Sequence, residues 1–446
     1  LGKSAHVVAA MQAILRLGAI YVPLDPLSPG TRIQAIVRDC RMSALVTTQR
    51  RAQAVLTDDL QQIPYLCVES RETKENILSF PDTPVRDIMT DEKDVAYILY
   101  TSGSTGTPKG VCISNRNALA FVEWASQTVG ATSTDRFANH ASFHFDLSVF
   151  DLYVAFHAGA ATYLIPDEVS YIPQQLVSFL SQNALTIWYS VPSVLILMME
   201  QAGLLDRELP SLRAIVFAGE PFPIKHLRCL YQHYGQRARF FNFYGPTETN
   251  VCTSYEVTTI PENWKKPVPI GKACSGDRVW ALKEDGTLVE PGEEGELMVV
   301  GPTVMVGYWG QPVYGDKPYA TGDIVQLLDD GNYVYIGRRD HQVKVRGHRI
   351  EPGDIEAAIE EHPAIHEVAV VVVGVGLEAR LVAFVVPATA AHGIPLLLPS
   401  LLEIKRFCAE RLPRYMIIDD IRAISALPRT RNGKIDRLAL SHPRDI

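Results

Sequence analysis

Residues 100–110 read Tyr100-Thr101-Ser102-Gly103-Ser104-Thr105-Gly106-Thr107-Pro108-Lys109-Gly110, directly behind the apolar run Ala96-Tyr97-Ile98-Leu99-Tyr100. A buried strand that opens into such a loop is an anion cradle. Glycines let backbone N–H groups approach an anion closely, the hydroxyls of Thr101, Ser102, Ser104 and Thr105 add donors, and Lys109 supplies positive charge. A Walker loop requires G-x-x-x-x-G-K followed by Ser or Thr; here Pro108 precedes the lysine and Gly110 follows it, so the Walker reading is excluded. A flexible Ser/Gly linker has no reason to follow a buried strand or to end in Pro-Lys-Gly.

Outward from this loop the chain alternates helix-period segments with short β-rich runs as far as about residue 336, which predicts a layered α/β architecture. Residues 7–17 have apolar positions at helical spacing and lead to a strand-like run at 19–22; residues 96–100 and 212–217 read as strands. Beyond the Gly- and charge-rich stretch 337–353 the pattern restarts as helix 352–361, strands 367–373 and 380–386, and helix 398–411. The expectation is therefore a large multi-layer α/β domain over residues 1–339 and a small α+β domain over residues 340–446.

Composition narrows the class. A chain of 446 residues that is 47% hydrophobic buries a large core in more than one domain. With 42 Lys plus Arg against 50 Asp plus Glu and no run of like charge, no nucleic-acid partner is expected. The seven cysteines are scattered and never in a C-x-x-C pair, which fits a reducing, cytoplasmic location better than a disulfide framework or a zinc site. The most apolar run, 368–375, is far shorter than the roughly 20 residues a membrane helix needs, so no membrane association is expected. His140 and His144 lie four apart, but 136–145 reads as strand or loop, where they share no helix face. Gly374-Val375-Gly376 lacks the third glycine of a dinucleotide fingerprint.

The loop at 100–110 resembles the phosphate-binding signature of the adenylate-forming superfamily, which includes acyl-CoA synthetases, luciferases and the adenylation domains of nonribosomal peptide synthetases. Further motifs of that family follow in order. They are Gly18-Ala19-Ile20-Tyr21-Val22-Pro23-Leu24-Asp25, Asn242-Phe243-Tyr244-Gly245-Pro246-Thr247-Glu248-Thr249, Gly295-Glu296-Leu297, Thr321-Gly322-Asp323, Gly337-Arg338-Arg339-Asp340 with Lys344-Val345-Arg346-Gly347, Leu412-Pro413-Arg414-Tyr415-Met416 and Asn432-Gly433-Lys434-Ile435-Asp436. The resemblance thus spans nearly the whole chain, and it implies a large core domain with a small mobile carboxy-terminal domain.

It also implies roles. Glu248 is the expected Mg²⁺ ligand with Thr105 near the same phosphates; the bland alternative for Glu248 is a helix N-terminal acid. Thr105 and Lys109 join Glu248 as expected catalytic residues, and ATP is expected on Thr101, Ser102, Gly103, Ser104, Gly106, Thr107, Gly219, Glu220, Asn242, Tyr244, Gly245 and Thr247. Asp323 and Arg338 are expected to hold the ribose, Asn242 the base edge, and Tyr244 to lie flat beside adenine. An unpaired lysine in an Asn-Gly-Lys turn is ordinarily solvated surface; the resemblance instead makes Lys434 the catalytic cation that holds the substrate carboxylate and the developing phosphoester charge after the small domain rotates about Asp340. The segment around Gly347 then faces the incoming thiol.

Phe145-Asp146-Leu147-Ser148 is similar to the amino-acid branch, because a carboxylate facing an apolar pocket calls for a cation such as an α-ammonium. If Asp146 is only a turn acid, the chain is an acyl- or aryl-CoA ligase instead. The family's specificity positions fall on Asp146, Leu147, Phe150, Tyr189, Val216, Ala218, Phe243, Val251 and Cys252, with Lys434 completing the set; Tyr189 is placed by its distance before Pro192. The set holds three aromatics and only two charges, which favours a small apolar amino acid. It resembles stand-alone prolyl-AMP ligases that load the phosphopantetheine thiol of a carrier protein. L-Proline is the expected substrate, with valine, 2-aminobutyrate and a methylproline as neighbours that one methylene's worth of binding, about 1–3 kcal/mol, separates weakly.

The chain departs from the family pattern at two places: it opens shortly before the Gly18 motif, so an earlier amino-terminal segment is expected to be missing, and Gly307-Tyr308-Trp309-Gly310 reaches Thr321-Gly322-Asp323 over a short connection. No Gly-Gly-x-Ser carrier motif follows Asp436, so the thiol acceptor is expected on another protein or on a removed part of the chain. A kinase-like ATPase and a non-catalytic nucleotide-binding module are the rivals.

Overall fold

A computed structural model describes the chain except for residues 82, 84–88, 103–107, 265–266, 340–341, 375–377, 390–396, 398, 430–434 and 442–446. The chain divides into two compact units, each assembled from several pieces. One comprises Leu1–Asp25, Ser70–Tyr100 and Gly110–Asp340; the other comprises Pro26–Glu69, Thr101–Lys109 and His341–Ile446.

The first unit is built on a seven-stranded sheet whose strands lie in the order Lys272–Ala273, Thr253–Glu256, Arg239–Tyr244, Ala214–Ala218, Ile187–Ser190, Arg136–Asn139, Ala161–Leu164. The last five run parallel, and Thr253–Glu256 returns antiparallel on Arg239–Tyr244. Parallel strands are covered on both faces and read as continuous apolar runs: all five residues of Ala214–Ala218 and all four of Ile187–Ser190 are buried. From Arg136–Asn139 the chain steps outward to Ala161–Leu164 and then back across to Ile187–Ser190. The strand order therefore reverses there, and such a switch point leaves a crevice at the carboxyl ends of the strands. A four-stranded antiparallel sheet, Arg278–Leu282, Glu294–Val300, Tyr319–Leu327 and Tyr333–Arg338, and a short sheet pairing Gly307–Tyr308 with Lys109–Ser114 complete the unit.

In the second unit, Ile365–Val373 pairs antiparallel with Arg380–Pro387, which runs parallel to Asp420–Ala423. Alternation along Ile365–Val373 sends Val368 and Val370 to one face, against Ile355 and Ile359 of the helix Pro352–Glu360 and Ile404 of the helix Leu401–Ala409. Ala369 and Val371 face the other way, with Phe384 and Leu440.

Most predicted elements form with small shifts: 7–17 as the helix Ala5–Arg16, 96–100 as Val95–Thr101, 212–217 as Ala214–Ala218, and the last helix as Leu401–Ala409, started by Ser400 accepting from Glu403 N. The strand expected at 19–22 does not form. Only Tyr21 bridges Tyr97, because Pro23 has no N–H to continue a ladder and restricts Val22 before it.

Candidate functional site

Several of the residues expected to line the amino-acid pocket lie on neighbouring parallel strands. In register, Tyr189 lies beside Val216, and Ala218 beside Phe243. Since side chains alternate along a strand, Val216 and Ala218 share a face, and Phe241 and Phe243 share theirs. Phe150, Tyr189 and Phe243 close a triangle, with ring centroids 5.0 Å apart for Phe150–Tyr189 and 6.1 Å for each ring to Phe243, all edge-to-face. These contacts use the ring quadrupoles favourably and leave little room between the rings. Trp124, on the helix Asn115–Val129, backs the triangle at 5.0 Å from Phe243.

Asp146 sits between the strand Arg136–Asn139 and the helical turn Leu147–Val149, half-buried, and its side chain does not cap that turn. Its Oδ2 accepts a 2.7 Å hydrogen bond from Thr247 Oγ1 instead. The Tyr189 hydroxyl is pushed well above its ordinary range by burial, and the Asp146 charge adds to this. Tyr97 is raised in the same way, again with Asp146 contributing, and takes a hydrogen bond with Asn250. Asp146 is thus tied to Thr247, and its charge is felt at the Tyr189 hydroxyl of the aromatic triangle.

Thr247 and Glu248 lie in the return between Arg239–Tyr244 and Thr253–Glu256. A Cβ on Gly245 would stand 1.8 Å from the Asn250 carbonyl oxygen, so only glycine permits this fold-back. Cys252 N donates to Tyr244 O at 2.9 Å, and burial raises its thiol to about 12, which keeps it a neutral apolar wall beside Val251. Glu248 does not start a helix: it lies in a turn that leads into a strand, is almost completely buried, and accepts from the Tyr308 hydroxyl at 2.8 Å through Oε1. Its carbonyl accepts from Met305 N at 2.8 Å.

A second cluster adjoins through Tyr244. Asp323 and Arg338 are register partners on neighbouring strands and form a 2.6 Å ion pair with side-chain exposures of 1% and 7%. Tyr244 donates its hydroxyl to the other Asp323 oxygen. Asn242 Nδ2 donates to Pro269 O at 2.8 Å. Gly219 has φ +86°, and the Glu220 carboxylate accepts from Ser193 N at 3.2 Å, at the start of the helix Pro192–Ala202. A helix-terminal acid is thus one role Glu220 fills.

The structure therefore gathers Asp146, Leu147, Phe150, Tyr189, Val216, Ala218, Phe243, Val251 and Cys252, and joins them through Thr247 and Tyr244 to Glu248, Asp323 and Arg338. Thr101 ends one strand and Lys109 begins another in the other unit, where Ser102 Oγ donates to Arg349 O at 3.1 Å. Gly103, Ser104, Thr105, Gly106, Thr107, Asp340 and Lys434 lie outside the described residues. Tyr308 was missed by the sequence reading, although Gly307-Tyr308-Trp309-Gly310 had been noticed as a connection.

The Tyr–Asp–Arg cluster and the residues around the aromatic triangle lie beside a parallel sheet with a switch point, and the chain belongs to the AMP-binding enzyme family. Residues 1–309 match the profile described as AMP-binding enzyme, and 354–434 match the AMP-binding enzyme C-terminal domain. Among its relatives, an L-proline–[L-prolyl-carrier protein] ligase of Pseudomonas fluorescens is 49% identical over 442 residues, covering 98% of this chain and 87% of the relative. A ligase of the same name from Streptomyces coelicolor is 38% identical, covering 99% and 86%. In three dimensions, the Vibrio cholerae adenylation domain AlmE, in complex with glycyl-adenosine-5'-phosphate, superposes with a TM-score of 0.79 at 25% identity, covering 97% of this chain and 86% of that one.

Proposed function

We propose that the protein activates a small apolar amino acid, L-proline first, as its aminoacyl-adenylate and passes the acyl group to the phosphopantetheine thiol of a carrier protein. The observation that carries this reading is Asp146, held by Thr247 and near enough for its charge to act on Tyr189, which packs with Phe150 and Phe243 in the aromatic triangle; the likeness to two proline ligases supports the choice of acid.

In the first half-reaction a carboxylate oxygen of the amino acid bonds to the α-phosphorus of ATP as the bond to the bridging oxygen breaks, and pyrophosphate leaves. In the second, the thiol sulfur bonds to the acyl carbon, the acyl–phosphate bond breaks, the thiol proton is given up, and AMP leaves. Asp146 binds the ammonium: the secondary ammonium of proline still offers two N–H donors. Lys434 binds the carboxylate. Lys109 and the hydroxyls and N–H groups of Thr101 to Thr107 bind the phosphates. A carboxylate has about four lone-pair sites, so Asp323 accepts from ribose hydroxyls while Tyr244 and Arg338 hold it in place. Gly219, Glu220, Asn242, Gly245 and Thr247 complete the nucleotide walls.

Glu248 with neighbouring hydroxyls is a hard oxygen donor set that suits Mg²⁺, which would neutralise phosphate charge when bound. The Tyr308 hydroxyl fixes the Glu248 carboxylate, and Trp309 N on Gly110 O at 2.7 Å ties this segment to the strand that leaves the phosphate loop. Tyr308→Phe is accordingly expected to weaken Mn²⁺ binding, read by electron paramagnetic resonance in the presence of ATP, roughly tenfold, in line with the 10–100-fold effects of outer partners of metal ligands. Unchanged Mn²⁺ affinity would show that the tyrosine does not orient the acid.

Residues 1–339 are proposed as the core domain and 340–446 as the mobile subdomain, with Asp340 as hinge. All seven cysteines are unpaired, which fits a cytoplasmic location, and among the described residues no helix is long and apolar enough to cross a membrane. The decisive experiment is amino-acid-dependent ATP–pyrophosphate exchange across a substrate panel. Proline is expected to give the largest signal; proline no better than valine rejects the substrate, and ADP in place of AMP and pyrophosphate rejects adenylation.

A further inference from the structure

Next to Phe150 the chain carries a second carboxylate, Asp151, with no exposed surface. It lies in the π-helical turn Phe150–Val154, whose wider winding lets Phe150, Asp151 and Leu152 all be buried in succession. The acid ties this turn to two strands. Its carbonyl accepts from Thr162 Oγ1 at 2.8 Å, and its Oδ2 accepts from Asn139 Nδ2 at 3.0 Å. Asn139, also fully buried, gives its other N–H to Ala141 O at 3.1 Å.

Two oxygens are left over. Asp151 Oδ1 and Asn139 Oδ1 are both buried without a hydrogen-bond partner. Buried polar atoms are rarely left so, and each orphan is costly. Here the orphans belong to a planar acid and a planar amide already joined by one N–H···O bond. An ionised acid has no donor for the amide oxygen, whereas a proton on Asp151 Oδ1 satisfies both atoms at once.

Burial favours that proton, while the nearby Lys3 charge and the Asn139 hydrogen bond oppose it. The Lys3 ammonium donates to the carbonyls of Asn139 at 3.2 Å and His140 at 2.7 Å rather than to the acid, and Asp151 has no ion-pair partner among the described residues. Burial lowers His140 to about 4, so it is neutral near pH 7. Asp167 faces Lys3, and the Tyr189 hydroxyl lies within reach of the charges of both Asp151 and Asp146. Burial pushes Asp151 itself well above the usual carboxylate range.

We propose that Asp151 is a neutral carboxylic acid that closes a two-hydrogen-bond ring with the Asn139 amide, and that this ring is the positioning element for Phe150 and so for the size of the amino-acid pocket. The ring stands on its own geometry; its effect on substrate size rests on the pocket reading above.

Infrared difference spectroscopy of the wild-type protein against Asp151→Asn at neutral pH tests the ring. The expected difference contains the carbonyl stretch of one protonated carboxylic acid, and a difference made only of carboxylate bands overturns the proposal. Kinetics test the positioning. Asp151→Asn keeps an amide–amide ring and is expected to hold the amino-acid KM within about threefold. Asp151→Leu leaves the Asn139 amide short of partners and is expected to raise that KM roughly tenfold or more, with the KM for ATP within about twofold. A leucine variant with a wild-type amino-acid KM and substrate ranking refutes the positioning role. If that variant does not fold, an asparagine variant whose amino-acid KM rises beyond about tenfold refutes it equally. Absence of amino-acid-dependent exchange in the wild type itself rejects the pocket reading instead, and the infrared band still decides the ring.

Discussion

Asp146→Ala is expected to lower kcat/KM for the amino acid on the order of 10²-fold or more, with the KM for ATP within about threefold, because truncating one partner of a buried, hydrogen-bonded charge pair costs about 2–5 kcal/mol. The loss arises from what the variant leaves behind. The substrate ammonium would enter a wall of Phe150, Tyr189 and Phe243 with no acceptor for its N–H donors. Thr247 would lose the acceptor it now holds at 2.7 Å, which loosens the residue preceding Glu248. Steady-state pyrophosphate exchange, with amino acid and ATP varied separately, measures both quantities. The variant is also expected to lose its preference for an amino acid over the corresponding des-amino acid; full retention of that preference would place the carboxylate outside the pocket and favour a CoA-ligase reading. Asp146→Asn separates charge from shape: it keeps a hydrogen-bond acceptor and is expected to fall between wild type and alanine.

Much of this site was legible because its parts are local. Val216, Ala218 and Phe243 follow from the family resemblance through motifs that sit on single strands, and the register of Ala214–Ala218 with Arg239–Tyr244 places them beside one another. Phe145-Asp146-Leu147-Ser148 and Gly245-Pro246-Thr247-Glu248 announce turns beside them. The hydrogen bond between Thr247 and Asp146 was not legible, since it joins residues 101 apart in sequence. Tyr308 was hidden for the same reason: its meaning comes from pairing with Val111 and from reaching Glu248, and neither leaves a periodic trace. Asp151 was hidden differently. The π turn breaks the 3.6-residue spacing on which a helical burial pattern is read, so the burial of an acid beside Phe150 leaves no periodic trace. At 19–22 an apolar run reads as a strand, but Pro23 lacks the N–H that would continue a ladder, and only Tyr21 bridges Tyr97. Glu220 is expected at the nucleotide from the family resemblance; its carboxylate also meets the start of the helix Pro192–Ala202.

Lys434→Ala is expected to slow amino-acid-dependent adenylation on the order of 10²- to 10³-fold, the loss that removal of a preorganised donor at a site of developing charge produces. Adenylation brings the substrate carboxylate against a triphosphate, so two like charges approach while negative charge spreads over the oxygens around phosphorus. A cation shared between the carboxylate and the α-phosphate acts most strongly at that moment, and alanine leaves nothing in its place. Thioester formation makes a different demand. The carboxylate charge is already gone in the mixed anhydride, the attacking group is a thiol, and the leaving group is AMP. A cation that serves the encounter of carboxylate and triphosphate therefore has less to act on in this step. Transfer from preformed aminoacyl-adenylate to a phosphopantetheinylated carrier protein should therefore fall by less than about tenfold. Pyrophosphate exchange measures the first half-reaction and single-turnover transfer the second. Equal losses in both would mean that one arrangement of the chain serves the two steps and that Lys434 stays at the acyl group throughout, whereas a loss confined to the first ties the lysine to the encounter of carboxylate and phosphate.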